Sequence, residues 1–371
     1  MTTTTLATRI APIAALAADE ARWRDLADEA LEPNPFFRPG FLIASDRHLA
    51  GGAGQAVVAE DARGRFVGLL PFLPAPLGGG GLAPAWRGFL TPYASLDTPL
   101  IRLEDPSGTA LALLEGLAGA GGLRRLLLLN AIDGDGPVAR ALAEAARRSE
   151  RGIERTATIQ RAALRRPARV EAERLASLGR KLRRLPRGHE VAIGLVTDRP
   201  ARLEAFLALE ASGWKGRAST ALASRPASAA FAREALLAAD CDVRFDELTF
   251  AGAPIAMNLN LRDRGALFSI KSAYDEAHAK RSPGVVLDGA LTEAILADPD
   301  LDLADSCALP GHPLDGLWLD RRSIARIAID VARRPSSLGF RGRLAVAGFD
   351  IAARAAAKRL YGEAKARIGA A

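Results

Sequence analysis

The chain has little of several residue types, and each shortage narrows what it can be. Only two of its 371 residues are cysteine, Cys241 and Cys307, with no paired spacing. That excludes a disulfide framework, and a chain this long buries a core without one. Histidine occurs four times, at positions 48, 189, 278 and 312, never as HExxH and never in zinc-type Cys/His spacing, so no metal is expected. A Cys307…His312 thiol pair lacks a third member, and a Gly-x-Ser-x-Gly elbow is absent. No apolar run reaches the length of a membrane span; the best stretch, Leu111 to Ile132, is broken by Glu115, Arg124 and Arg125. Met1 to Ala18 has no basic start, so a cleaved leader is not expected and a cytoplasmic location is the default. Aromatics are 5% of residues, so the core must come from Ala, Leu, Val and Ile.

Charge is present in quantity but unevenly placed. Fifty Lys and Arg against 43 Asp and Glu leave +7, with a pI near 9.9. Residues 161–190 and residues 325–371 each hold ten basic and three acidic residues, so the remainder is net acidic. A basic surface that would make nucleic acid the general partner is therefore not expected. Arg180-Lys-Leu-Arg-Arg184 reads either as a phosphate-binding helix or as a solvated face. Phe349 to Tyr361 alternates apolar residues with Arg and Lys, a basic amphipathic helix that would dock on an anionic membrane, at the inner-membrane periphery, or pack on its own protein or on a twin subunit.

Periodicity and breakers predict a mixed α/β order. Helices are expected over 13–31, 36–49, 109–119, 136–149, 200–212, 226–239 and 282–297, with a basic segment over 169–187. Strands are expected at 55–60, 65–70, 125–129, 157–165, 190–197, 242–250, 253–261, 266–272, 301–305 and 317–320. Gly78 to Gly81 is followed by Leu-Ala-Pro, which excludes a Walker loop and leaves a flexible turn. Both halves begin with helix, pass through a strand hairpin, and alternate helices with strands, with a junction near 150–160.

The informative stretch is 209–318. It contains Glu210-Ala-Ser-Gly-Trp-Lys-Gly-Arg217, Phe268-Ser-Ile-Lys-Ser-Ala-Tyr-Asp275, Ser282-Pro-Gly284, Asp305-Ser-Cys307 and Leu317-Trp318. In order and spacing it resembles the CelD-like (BioF-like) acetyltransferase family, a branch of the GNAT superfamily related to the FemABX peptidyltransferases. The resemblance takes in Arg180–Arg184 and Pro33-Asn-Pro-Phe-Phe37 and covers about residues 20–325. It implies two GNAT-like mixed-sheet lobes, residues 1–155 and 156–324, followed by a basic helical tail, 325–371.

Ser282 reads as the cap of a helix with Pro283 at its first position, whose N-terminus favours an anion, with Lys280 and Arg281 beside it. The superfamily holds acyl-CoA pyrophosphate at such a loop, so the resemblance makes Lys280, Arg281, Ser282, Gly284 and Val285 cofactor-binding residues. Arg281-Ser-Pro-Gly-Val-Val286 matches the family's Gln/Arg-x-x-Gly-x-Gly/Ala at its first and fourth positions and departs at the last. Backbone N–H groups of the 266–272 strand would polarise the thioester carbonyl, and the resemblance makes Ser269, Ile270 and Lys271 cofactor-binding residues too. Lysine is scarce, six against 44 Arg, yet Lys215, Lys271 and Lys280 fall in this region. Trp214, Lys215 and Arg217 would meet the acceptor, or pack. Tyr274 would protonate the leaving thiolate and Asp275 take the amine proton, with Asp305 and Ser306 on the acceptor side; the plain readings are a loop hydroxyl and solvated carboxylates. The implied activity is transfer of an acyl group, acetyl first, from acetyl-CoA or another acyl-CoA to a small-molecule or saccharide amine, such as an amino sugar or envelope polysaccharide precursor, by a monomer or homodimer. Transfer from aminoacyl-tRNA, as in Fem proteins, and a degenerate scaffold are the other readings.

Overall fold

A computed structural model describes residues 6–76 and 84–347. The expectations for Gly78–Gly81 and for the tail beyond 347 lie outside the described residues. Thirteen strands form one sheet. The first half runs β1 (Ala7–Pro12), α1 (Glu20–Asp28), α2 (Pro39–Leu49), β2 (Gln55–Glu60), β3 (Phe66–Pro76), β4 (Pro84–Gly88), the two-residue β5 (Leu100–Ile101), α3 (Pro106–Gly119), β6 (Leu126–Asp133), α4 (Pro137–Arg148) and β7 (Ile153–Arg165). The second runs α5 (Ala172–Arg183), β8 (His189–Leu195), α6 (Arg199–Ser212), α7 (Trp214–Arg217), α8 (Pro226–Leu237), β9 (Asp242–Phe250), β10 (Ala253–Asp263), β11 (Ala266–Tyr274), α9 (Pro283–Ala297), β12 (Leu303–Asp305) and β13 (Asp320–Asp330). Proline occupies the first turn of α2, α3, α4, α6, α8 and α9, where its fixed φ starts a helix and its missing N–H costs nothing.

The strand order is β1-β2-β3-β4-β6-β13-β7-β12-β11-β10-β9-β8. Read from both edges inward, it is one pattern used twice. β1, β2, β3, β4 and β6 correspond to β8, β9, β10, β11 and β12, with α1, α2 and α3 matching α6, α8 and α9. In each copy the β4–β6 or β11–β12 pair is parallel amid antiparallel neighbours. The last strand of each copy is exchanged. β7 follows the first half in sequence but pairs with β12, whereas β13 pairs with β6. The two exchanged strands pair with each other from Asp320↔Ala163 to Ile329↔Ile153 and join the halves into one sheet. The junction expected between 155 and 156 falls inside β7.

Four of the scarce aromatics gather where the halves meet. Phe36 lies edge-on to Phe41 and Phe268, and Phe41 to Phe231, at centroid distances of 5.3–5.9 Å. These rings belong to a core shared by α2, α6, α8, β10 and β11. Arg38, nearly fully buried, crosses the same boundary to Asp263 at 2.7 Å.

Two departures from the sequence reading stand out. Residues 7–12 are an edge strand rather than the approach to a helix. Residues 325–330, expected in the tail, are the heart of the sheet: β13 is buried at most positions. Helix resumes over 337–347, where Phe340 and Ala347 pack on Leu126, Leu128 and Ala328, and Gly152 leaves room for the Phe340 ring.

Candidate functional site

β11 pairs with β12 only over Ala266–Phe268, and from Ser269 to Tyr274 its outer edge has no strand beside it. Within that free edge Ile270 is a bulge: Leu259 faces Lys271 and Asn260 faces Ser269, leaving Ile270 unopposed. A bulge turns a backbone N–H out of the ladder at a chosen spot. Two cavities open along this edge, of about 580 and 620 Å³. The first is walled by Ser272–Tyr274, by Leu209 and Glu210 of α6, by Gly213, Trp214 and Lys215 around the start of α7, and by Ser282–Val285 at the start of α9. The second is walled by Ser269–Ser272 and by Ser306–Leu309 after β12. Lys215, Ser272, Asp288, His312 and Pro313 line both.

The N-terminus of α9 is open. Ser282 adopts φ 52°, and its side chain makes no cap hydrogen bond. This corrects the expectation that Ser282 caps the helix. Among the described residues nothing accepts from the N–H groups of Gly284 and Val285, while that of Val286 is taken by Ser282 O. Free N–H groups at the positive end of a 15-residue helix suit an anion. Gly284 faces open space, with only the Tyr274 ring within 4 Å of where a Cβ would stand. Val286, the departure from the loop pattern, is buried among Leu248, Ile255 and Leu287, so its side chain does not obstruct the loop.

Two of the three lysines singled out in the sequence, Lys215 and Lys271, meet at one carboxylate. Glu210, buried on α6, accepts from Lys271 Nζ at 2.6 Å and from the Leu222 N–H at 2.7 Å, with Lys215 Nζ 3.9 Å away. Lys215 donates to Ser272 O on β11 at 2.5 Å. Burial pulls its ammonium below the usual range; Glu210 opposes this and Lys271 adds to it. Tyr93 of the first half lies over Lys271, 5.6 Å from nitrogen to ring centre.

Two groups that sequence reasoning missed sit where the cavities join. Asp288, one helical turn into α9, accepts from Asn258 Nδ2 at 3.2 Å through Oδ1. Burial, reinforced by nearby Asp246 and opposed by Asn258, pushes its carboxyl up to about 7. The available signal was a lone acid in an apolar helical run, Val285-Val-Leu-Asp-Gly-Ala-Leu291. His312 uses Nδ1 to accept from the Leu314 N–H, so the neutral ring carries its proton on Nε2. Burial lowers its pKa, keeping it neutral.

Of the other expected site residues, Ser306 alone lines a cavity. Asp275 spends Oδ1 on the Ala277 N–H, starting the turn that follows β11, and lines neither cavity. Arg217 forms a two-pronged pair with Glu276 outside both cavities. Lys280 and Arg281 are exposed beside the α9 start without lining either cavity. Asp305 is fully buried and bonded to Arg161 at 2.5 Å and Arg322 at 2.7 Å. Burial would raise its carboxyl, and the two guanidiniums more than reverse this. It is thus a structural anion rather than an accessible base. Ser306 is buried and lines the second cavity. Burial, with Asp305 close by, pushes the Cys307 thiol up to about 12, which leaves no thiolate near neutrality.

The matching place in the first half is closed. Beyond the short β4–β6 pairing, Asp97 takes the N–H groups of Asn130 and Ala131 at 2.7 and 2.8 Å, and its own N–H bonds to Ala131 O. Asp105 caps α3 through the Gly108 N–H at 3.0 Å. A side chain thus fills the gap and another covers the helix start, so among the described residues the open edge and free helix terminus occur together only in the second half.

Among the described residues no group of His, Cys, Asp and Glu could hold a metal ion, and no helix is long and apolar enough to cross a membrane. No curated protein matches the chain. Solved structures that match include a conserved protein of unknown function from Bacteroides thetaiotaomicron (13% identity, 88% of this chain and 100% of that one, TM-score 0.55). Another is the C-terminal domain of a putative lysylphosphatidylglycerol synthetase from Agrobacterium fabrum (12%, 84% and 91%, TM-score 0.54). A third is L-PGS from Bacillus licheniformis (12%, 89% and 95%, TM-score 0.51). At such identities the likeness shows the fold. Residues 172–306, from the start of α5 through β12, match the family described as the GNAT acetyltransferase domain. The match falls within the open half, the second of two lobes laid out on the same plan, and supports an acyltransferase activity for it.

Proposed function

We propose that the second lobe transfers an acyl group, acetyl in the first instance, from acyl-CoA to an amine, with an amino sugar or envelope polysaccharide precursor as acceptor. The observation that carries this reading is the free, bulged edge of β11 opening beside the uncapped start of α9. The N–H groups of Gly284 and Val285 suit the diphosphate, and the free edge from Ser269 to Tyr274 suits the amide-containing arm. An N–H released at the Ile270 bulge would hold the thioester oxygen as negative charge grows on it. The amine nitrogen bonds to the carbonyl carbon, the carbon–sulfur bond breaks, and the amine proton passes to Asp288, whose carboxyl is poised to take one near neutrality. The Tyr274 hydroxyl supplies a proton to the departing thiolate. Lys215 and Trp214 stand at the mouth, where they would orient the acceptor. Calorimetry with acetyl-CoA tests the reading: micromolar binding that Gly284→Glu weakens is expected, and no heat at millimolar ligand overturns it.

A second reading is transfer from aminoacyl-tRNA. Two fold neighbours carry lysylphosphatidylglycerol synthetase or L-PGS in their names. Arg180, Lys181 and Arg183 on α5 and Arg184 just after it are exposed and have no carboxylate partner among the described residues. Strongly salt-dependent binding of aminoacyl-tRNA, with none of acetyl-CoA, would favour this reading.

A further inference from the structure

At the far end of the first lobe four arginines surround a cavity of about 490 Å³ that acyl transfer does not use. Arg124 and Arg125 lead into β6; Arg333 and Arg334 follow β13. The register Asp330↔Leu126 brings the two pairs to the same end of adjacent strands. Among the described residues none of the four is paired with a carboxylate, and Arg124, whose guanidinium stands over the Trp86 ring at 5.0 Å, leaves Nε buried without a hydrogen-bond partner. Arg333 is steadied by Gly119 O at 3.2 Å.

The platform beneath them is built. Asp330, fully buried, accepts from the Ala332 N–H at 3.0 Å and from Arg343 at 2.8 Å. Arg151 donates to Ala332 O at 2.7 Å. The turn that displays Arg333 and Arg334 is therefore held from below. On the opposite wall Gly121 and Gly122, at φ 69° and 77°, make the turn between α3 and β6. Leu123, 77% exposed, adjoins Arg124 in sequence, and Leu338, 81% exposed, follows Arg334 by four residues. Large apolar side chains this exposed next to unpaired arginines are the make-up of a surface that sits against lipid headgroups with its leucines in the acyl boundary. Helix 337–347 buries Phe340 and Ala347 against the sheet and leaves Leu338 and Arg341 exposed. Beyond residue 347 the sequence adds five basic residues against two acidic ones.

We propose that this arginine-lined cavity receives the phosphate of an anionic phospholipid and seats the molecule on the surface of an anionic bilayer. The arginines supply the charge complementarity, and Leu123 and Leu338 the apolar contact that a soluble phosphate would not require.

Sedimentation of the full chain with vesicles of equal parts phosphatidylglycerol and phosphatidylcholine tests this, with pure phosphatidylcholine as the neutral arm. Cosedimentation with the anionic vesicles only is expected. Arg333→Glu/Arg334→Glu should weaken it at least tenfold, because each arginine at an anionic surface changes partitioning about fivefold. Leu338→Ser should weaken it at constant charge, whereas Arg233→Glu, a charge reversal on α8, should leave it unchanged. Unaltered melting curves for these surface variants would show that the fold is intact. Absence of cosedimentation, equal loss with Arg233→Glu, equal binding to neutral vesicles, full competition by inorganic phosphate, or binding to RNA in place of vesicles would overturn the proposal. None of these readouts depends on acyl transfer.

Discussion

Asp288 and Asp305 show how burial alone does not decide what a carboxylate does. Asp305 meets two guanidiniums and is held ionised. Asp288 meets a neutral amide and is held near half-ionised at neutral pH. In the proposed mechanism the basic form of Asp288 predominates above pH 7, so kcat/KM should rise with pH to a plateau above about 7. Asp288→Asn should lower kcat 10²- to 10⁴-fold, a range of about 3–5 kcal/mol in barrier, and erase that rise while leaving acetyl-CoA affinity in place. A pH profile unchanged in the variant would assign the proton to another group. Asp305→Ala should instead cost stability, about 3–5 kcal/mol in urea unfolding, because Arg161 and Arg322 would be left buried without their shared anion. The folded-state pKa of Asp305 lies below its unfolded value of about 3.9. Its stabilisation is therefore present above that pH and is lost as pH falls through the folded value, so acid unfolding should set in below about pH 4. The sequence placed Lys215 and Lys271 at the site, because lysine is rare here and both fell in the matched stretch. It could not tell Asp305 from a solvated carboxylate, because one of its partners, Arg161, lies 144 residues away.

At the scale of elements, the site depends on a corner. α6 ends at Ser212, the chain turns at Gly213, and α7 carries Trp214 and Lys215 into the first cavity. Gly216 backs directly onto the Ala211 carbonyl, and any Cβ there would overlap backbone rather than a yielding side chain. Gly216→Ala should therefore displace α7, destabilise the fold by about 1–3 kcal/mol, and weaken acceptor use more than acyl-CoA binding, since the α9 start is untouched. Steady-state KM values for the two substrates separate these effects; equal losses in both would mean that the corner positions neither selectively. Most helices were legible in the sequence because proline marks their starts and the apolar spacing is regular. β13 was not. Residues 325–330 read as the start of a basic tail, and the pairing of Arg322 with Asp133 and Asp305 offsets the cost of burying the strand. The same blindness hid the closed first-lobe gap, since nothing near Asp97 in sequence announces that it bonds to β6.

For the whole molecule, the exchange of β7 and β13 makes each lobe depend on the other for its innermost strand. Unfolding should proceed in one cooperative transition, with calorimetric and van't Hoff enthalpies equal, despite the two-lobe plan. Two resolved transitions would show that the shared strands do not couple the lobes. A chain ending before Asp320 should lose the first lobe as well as its own end, because β6 and β7 would both be left with an unpaired edge. The repeated α/β plan was visible in the sequence; the exchange was not, because strand order across a sheet leaves no mark on spacing. The exchange also bears on how the protein is made. About 190 residues separate the end of β6 from the start of β13. At roughly 5–20 residues per second, a ribosome needs about 10–40 s to deliver the missing strand. For that interval the first lobe waits beside the ribosome with the leucine-rich β6 uncovered on one edge, a natural client for a chaperone that shields nascent chains.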